Sequence, residues 1–377
     1  MPLSLVWAAE WTVLPSIGVT GMYNDNLLMT TQPHDATYGF WVSPAAELTG
    51  KTENLRVSSQ AKVSFASYYG GDPFNFTNYF LPLSVRYQTE KDLLAFTGGY
   101  IRDNTLLGEL LDTGLVVRFT QRNQWTANPT WTRKITEKLS SQAGFRFNDT
   151  SYEDASNTGL RDYQLYGGSG GLLYQVTEKD QLQLSGTYMN FHTINSPTPV
   201  RSSIPGVNLA LTHAFTETLT GTVYGGPSFV SSTANTASGN VTAHNTVWLF
   251  GANITKKFEQ TSVQLEVGRS IVPSGVGLLV QVDRAGMTVS HNLTEALTAS
   301  FNGFANKTSA ISSQASAQFP EQHFLSATPA ITWKFAEWWK VELSYSYRYR
   351  EVDGVAGIST GTATSNSTMF TLSYNYW

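Results

Sequence analysis

The sequence predicts an all-β fold: a transmembrane antiparallel β-barrel of about 18 strands, with 16 as the other count, short periplasmic turns and longer extracellular loops. Three observations predict it. Only 14% of the 377 residues are charged, against roughly 25% in soluble domains. Aromatic residues reach 13% although mean hydropathy is only −0.19. Apolar and polar residues alternate with a period of two in segment after segment, the mark of strands with one apolar face. No run approaches the roughly 18 apolar residues of a membrane-spanning helix. The longest candidate, Val276 to Val282, is broken by Gly277 and Gln281. A chain that spans lipid without such a helix must close its backbone hydrogen bonds as a barrel.

Taken in order, residues 1–9 carry small or aliphatic side chains at Val6 and Ala8, spaced as at a signal-peptide cleavage site. They are expected to be a signal remnant, with residues 10–377 a single barrel domain. A first strand is expected near Trp11 to Tyr23. Leu55, Val57, Ala61, Val63 and Phe65 then share one face, with Arg56, Gln60 and Lys62 on the other. Ala143, Phe145 and Phe147 oppose Gln142, Arg146 and Asn148; Leu182, Leu184 and Tyr188 oppose Gln181, Gln183 and Ser185. The stretch Asn245 to Ile254 is apolar on both faces, and Asp283 with Arg284 suggests a change of phase through a bulge or a constriction. Val341, Leu343, Tyr345, Tyr347 and Tyr349 oppose Lys340, Glu342, Arg348 and Arg350.

A polar motif punctuates these runs: Thr89-Glu-Lys-Asp92, Thr136-Glu-Lys-Leu139, Thr177-Glu-Lys-Asp180, Thr216-Glu-Thr-Leu219 and Thr294-Glu-Ala-Leu297. It recurs at intervals of roughly 40 residues, room for two strands and one longer loop. The longer connections are rich in Asn, Ser, Thr, Gly and Asp, and include Asn24 to Ala36, Asp154 to Gly159, Ser231 to Asn240, Ser309 to Gln318 and Asp353 to Ser365. Counting weaker motifs, short turns and long loops together give the 18 strands.

The chain finishes S-T-M-F-T-L-S-Y-N-Y-W. Phe370, Leu372, Tyr374 and Tyr376 form the lipid face of a last strand that closes against the first. With the final Trp377, this resembles the C-terminal insertion signal of bacterial outer-membrane proteins, although Trp377 has the opposite parity to Tyr376. The resemblance implies contact with outer-membrane lipid and with the barrel-assembly machinery. Further pieces are Arg269-Ser-Ile-Val-Pro-Ser-Gly-Val-Gly-Leu278, Gln281-Val-Asp-Arg284, Tyr23-Asn-Asp-Asn26, Gln121-Arg-Asn-Gln-Trp125, Asn128-Pro-Thr-Trp131 and Pro329-Ala-Ile-Thr-Trp333. Together they resemble the β-barrel porins found with bacterial exopolysaccharide and exosortase systems. That likeness implies the outer membrane of a Gram-negative envelope.

Cysteine is absent, which excludes disulfides, thiolate chemistry and covalently attached haem. None of the six histidines stands in a catalytic or metal-binding spacing. No enzyme, cofactor or metal site is expected. No basic block points to nucleic acid. Charges within strands are expected to face the lumen, because an Arg or Lys facing lipid at mid-bilayer costs roughly 2–4 kcal/mol. The pore-lining candidates are Arg56, Arg86, Arg118, Arg122, Arg146, Glu266, Asp283, Arg284, Glu342, Arg348 and Arg350. Such rings either set ion preference, here for anions, or form a stiffening lattice. Trp125, Trp131 and Trp333 either stack on sugars inside the lumen or belong to the interfacial girdle. The functions left open are passive passage of small solutes, export or anchoring of a polysaccharide, and a structural sheath for a partner protein such as a cytochrome.

Overall fold

The computed structural model describes residues 10–31, 34–70, 73–114, 119–236, 239–311, 319–353 and 360–376. The expected signal remnant 1–9, the pore candidate Arg118 and the terminal Trp377 lie outside the described residues. The strands are β1 (Glu10–Asn24), β2 (Thr37–Lys51), β3 (Leu55–Tyr69), β4 (Phe74–Gln88), β5 (Asp92–Asn104), β6 (Gln121–Lys134), β7 (Leu139–Tyr152), β8 (Asp162–Gln175) and β9 (Asp180–Ile194). They continue as β10 (Val200–Thr216), β11 (Leu219–Thr236), β12 (Gly239–Lys257), β13 (Thr261–Pro273), β14 (Leu279–Asn292), β15 (Leu297–Ala310), β16 (Gln322–Trp333), β17 (Trp339–Val352) and β18 (Gly361–Asn375). Two single-turn helices, α1 (Glu109–Thr113) and α2 (Ala155–Thr158), interrupt loops.

Each strand pairs antiparallel with its sequence neighbours, and β18 closes on β1 from Ser16–Asn375 to Asn24–Ser367. The result is a closed 18-stranded barrel. The Thr motif explains the tight turns. The Oγ1 of Thr52, Thr89, Thr136, Thr177 and Thr294 accepts the backbone N–H three residues on, at 3.0–3.1 Å. This local side-chain turn reverses the chain without extra length.

The register fixes which way each side chain points. Val19 is level with Leu372 and Val42; Val57 with Val85, and that with Phe96. These apolar rows face outward and stay exposed, Val207, Leu209, Val223, Val267 and Phe370 among them. Large aromatics edge the band: Trp11, Trp131, Phe215, Phe258 and Trp333 near the short turns, and Tyr38, Trp125, Tyr188, Phe229 and Trp248 near the long loops. An apolar band between aromatic girdles is the outer surface of a barrel in lipid.

One expectation is corrected, and of the two readings of Asp283–Arg284 the bulge is the one that falls. Ser231 to Asn240, read as loop, is mostly strand. β11 and β12 have 18 and 19 residues and rise past the apolar band. Their upper parts are polar outside, so no hydropathy pattern marks them. At Asp283–Arg284 there is no bulge, since β13 and β14 pair without a break from Thr261–His291 to Pro273–Leu279. What changes is the wall. Pairing of β12 with β13 stops at Phe250–Arg269, and above it the β13–β14 hairpin turns into the lumen. Its Ile271 and Leu279 pack with Val247 and Leu249 on the inner face of β12. That contact explains why Asn245 to Ile254 is apolar on both sides.

The alternation predicts a sharp difference between neighbours. Leu209→Arg, on the lipid face of β10, should lower unfolding stability in bilayers by roughly 2–4 kcal/mol. Ala210→Arg, facing the lumen, should lower it by less than half as much. Urea titrations of the refolded protein read both values, and equal losses would contradict the assigned faces.

Candidate functional site

The lumen is narrowed from the extracellular side by the β5–β6 loop, which carries α1. Asn104 starts it: its Oδ1 accepts from the N–H of Leu106 and Leu107 at 3.1 and 3.2 Å. The loop then crosses to the far wall. Leu106 and Leu110 are buried with Leu27, Met29, Phe324 and Ala363, and Asn306 on β15 donates through Nδ2 to the Leu111 carbonyl at 3.3 Å. Strands β5 and β6 stand nearly opposite β15 and β16 around the ring, so the loop bridges the pore.

A buried polar knot holds it. Arg122 donates through Nε and Nη2 to both carboxylate oxygens of Asp103, at 2.9 and 2.8 Å, with both side chains 6% exposed. Its Nη1 lies 4.0 Å from Glu109. Glu109 also accepts from the Tyr152 hydroxyl and, at 2.8 Å, from the Gly275 N–H at the tip of the β13–β14 hairpin. The Arg161 N–H donates to the Gly275 carbonyl at 2.7 Å. Three inward segments therefore meet at Glu109. Gly108 is required here, because a Cβ would stand 2.0 Å from the Arg122 guanidinium carbon.

Below this knot lies a cavity of ≈ 460 Å³ whose lining includes Arg146, Asn128, Thr187, Met189, Tyr224 and Leu279. The register places most predicted pore residues on the inner face. Arg348 and Arg350 lie on upper β17, Arg146 midway on β7, and Arg56 beside Arg86 at the short-turn end of β3 and β4. Arg284 and Glu266 face inward and pair at 3.1 Å, and the Arg284 guanidinium sits 4.1 Å over the Phe304 ring. Glu342 accepts from Thr332 at 3.3 Å. Arg350 donates through Nη2 to the Met29 carbonyl at 2.6 Å, but the Nε groups of Arg348 and Arg350 are buried without a partner among the described residues.

Asp283 is the misplaced candidate. It faces outward and accepts from Arg269 at 2.6 and 2.9 Å, just above the apolar row of Val267 and Leu265. An ion pair in the polar layer outside lipid satisfies the same cost that led to its assignment inside. Trp125, Trp131 and Trp333 also face outward, 55%, 40% and 50% exposed, as girdle residues rather than sugar platforms. Sequence reasoning missed Asp103, Glu109 and Tyr152. Asp103 sits on the lumenal parity of β5, a usable signal; nothing local marks Glu109, whose role depends on where the loop folds. It also passed over Lys62, inward and 4.8 Å from the Phe80 ring.

At the outer rim, Glu321, His323 and Asp353 bring potential ligand atoms within 4.8 Å of one another. The Lys307 ammonium already donates to Glu321 at 2.7 Å and holds that carboxyl below its usual range, so a cation is already in place.

No family model matches the sequence, and no curated protein does. The fold is similar to solved outer-membrane porins. Pseudomonas aeruginosa OccK5 (OpdH) is 12% identical, with 97% of this chain and 98% of that one covered and a TM-score of 0.44. Acinetobacter baumannii OccAB2 is 9% identical, with 97% and 98% covered and a TM-score of 0.45. A BenF-like porin from Pseudomonas fluorescens is 8% identical, with 97% and 98% covered and a TM-score of 0.46. At these identities and scores, nothing about solute carries over. None of these comparisons supports the expected exopolysaccharide or exosortase association.

Removing one partner of a buried ion pair leaves the other charge stranded, typically costing about 3–5 kcal/mol. Asp103→Asn should therefore free the β5–β6 loop while the barrel stays closed. Limited proteolysis should cut the variant between residues 104 and 120 much faster than the parent. An unchanged cleavage rate would show that the loop is held by its apolar contacts alone.

Proposed function

We propose that the chain is a passive outer-membrane channel for small polar solutes that prefers anions. The observation that carries this reading is the set of inward cations without an acidic partner among the described residues: Arg348, Arg350, Arg146, Lys62, Arg56 and Arg86. Two lumenal acids are engaged elsewhere, Asp103 by Arg122 and Glu266 by Arg284. The cations descend from the loop end to the short-turn end, where Arg56 lies level with both Lys51 and Arg86. A row of unpaired positive groups along a narrow, low-dielectric passage attracts anions and raises the barrier to cations. Buried guanidinium N–H groups without a partner are costly unless water or a passing anion meets them.

The inward loop favours small solutes over a polymer. A polysaccharide would have to displace the knot at Glu109 and both apolar clusters above it. The inward loops also leave less room for a folded partner in the sheath reading.

Planar-bilayer recordings of the refolded protein test the proposal. Small conductance steps are expected, with reversal potentials on the anion side in a salt gradient. Arg348→Gln with Arg350→Gln should move the reversal potential toward zero without unfolding the barrel. A clear cation preference in the parent, or silence from a demonstrably folded barrel, would sink it.

A further inference from the structure

We propose that the outer face of β8–β12 binds the phosphorylated headgroup of an outer-leaflet glycolipid, with Arg201 as the main anchor and His192 and His244 beside it. This rests on the outer-membrane placement above and not on the channel's ion preference. The register lays two polar rows across these strands. Asn190, Ser203, Ser231 and His244 are level with one another, and His192, Arg201, Thr233 and Thr242 form the row above. All share the outward parity of Tyr188, Val207 and Phe229, which end the apolar band 49–52% exposed. Two residues along a tilted strand climb about 5 Å. The rows therefore stand at headgroup height, above the side chains that would meet acyl tails.

The surface there is concave, with ≈ 510 Å³ of space bounded by Tyr166, Asn190, His192, Arg201, Ser203 and Thr233 among others. Its charge is what sets it apart. Among the described residues, the other Arg and Lys on the outer surface at this height are neutralised: Arg102 by Glu153 at 2.5 Å, Arg269 by Asp283 at 2.6 Å and Lys307 by Glu321 at 2.7 Å. Arg201 has no acidic partner among the described residues. The first acid in its row, Asp149, is three strands away, beyond Gln164 and His192, or about 14 Å at ordinary strand spacing. An unpaired guanidinium offers a fork of N–H donors that matches a phosphate. The Asn, Ser and Thr side chains around it suit sugar hydroxyls. A site that faces outward, above an apolar wall, presents those donors to lipid and not to solutes in the pore.

The test uses the refolded full chain in detergent micelles, with bisphosphorylated lipid A as probe. Folding of each variant is checked by heat-modifiable gel mobility. The parent should bind the probe and bind its dephosphorylated form much more weakly. Arg201→Gln should weaken binding about tenfold, the scale of one charge-assisted contact; Arg201→Lys should restore part of it, and Arg102→Gln should leave it unchanged. Conductance of Arg201→Gln should match the parent, which separates this proposal from the channel reading. Equal binding by folded parent and Arg201→Gln overturns it. So does equal binding of phosphorylated and dephosphorylated lipid. Displacement by millimolar inorganic phosphate would also overturn it, showing a free-anion site instead.

Discussion

The structure depends on one constraint: inside lipid, every backbone N–H and C=O must find a partner in the chain. Closure of β18 on β1 follows from it, since a flat sheet would leave two bare edges. The constraint also says where the ladder can open. β12 and β13 part company above Phe250 and Arg269, beside Trp248, which is 63% exposed and marks the end of the outward apolar row. Beyond that point the outward residues of β12 are Thr246, His244 and Thr242, so freed backbone groups meet water and the opening costs little. The hairpin released there turns inward and buries Ile271 and Leu279 against Val247 and Leu249. Opening of the wall and narrowing of the lumen are thus one event.

How much of this was legible in the sequence depends on the range of the forces involved. Strand number, turn positions, closure of β1 with β18 and the facing of Arg56, Arg146 or Arg348 all follow from period-two alternation and local turn chemistry, and all could be read. The upper parts of β11 and β12 could not, because both faces there meet polar surroundings and the alternation fades. Asp283 was put on the wrong face by a rule that holds only at bilayer depth. Above the apolar row a charge may face out if it is paired, and Arg269 pairs it. The β5–β6 loop was unreadable for a different reason. Its path is decided by Glu109 meeting Tyr152 and Gly275, contacts between segments far apart in the chain.

The lumenal arginines serve two ends that geometry keeps apart. Arg122 and Arg284 are each matched to a carboxylate on a neighbouring strand. Such pairs contribute little net attraction beyond their desolvation cost but fix geometry, and at Arg122 they fix the loop that sets the pore's width. Arg348, Arg350, Arg146, Arg56 and Arg86 have no acid beside them among the described residues, so their field extends into the passage. Pairing marks Arg122 beneath the β5–β6 loop and Arg284 midway along β14. The charge without an acid beside it runs from upper β17 to the short-turn end of β3 and β4, where in the proposed channel it would act on a moving ion without holding it. A conducting pore needs that division: binding at any one site must be weak enough to release. Cations spread over β3, β4, β7 and β17 satisfy this better than a single concentrated ring would.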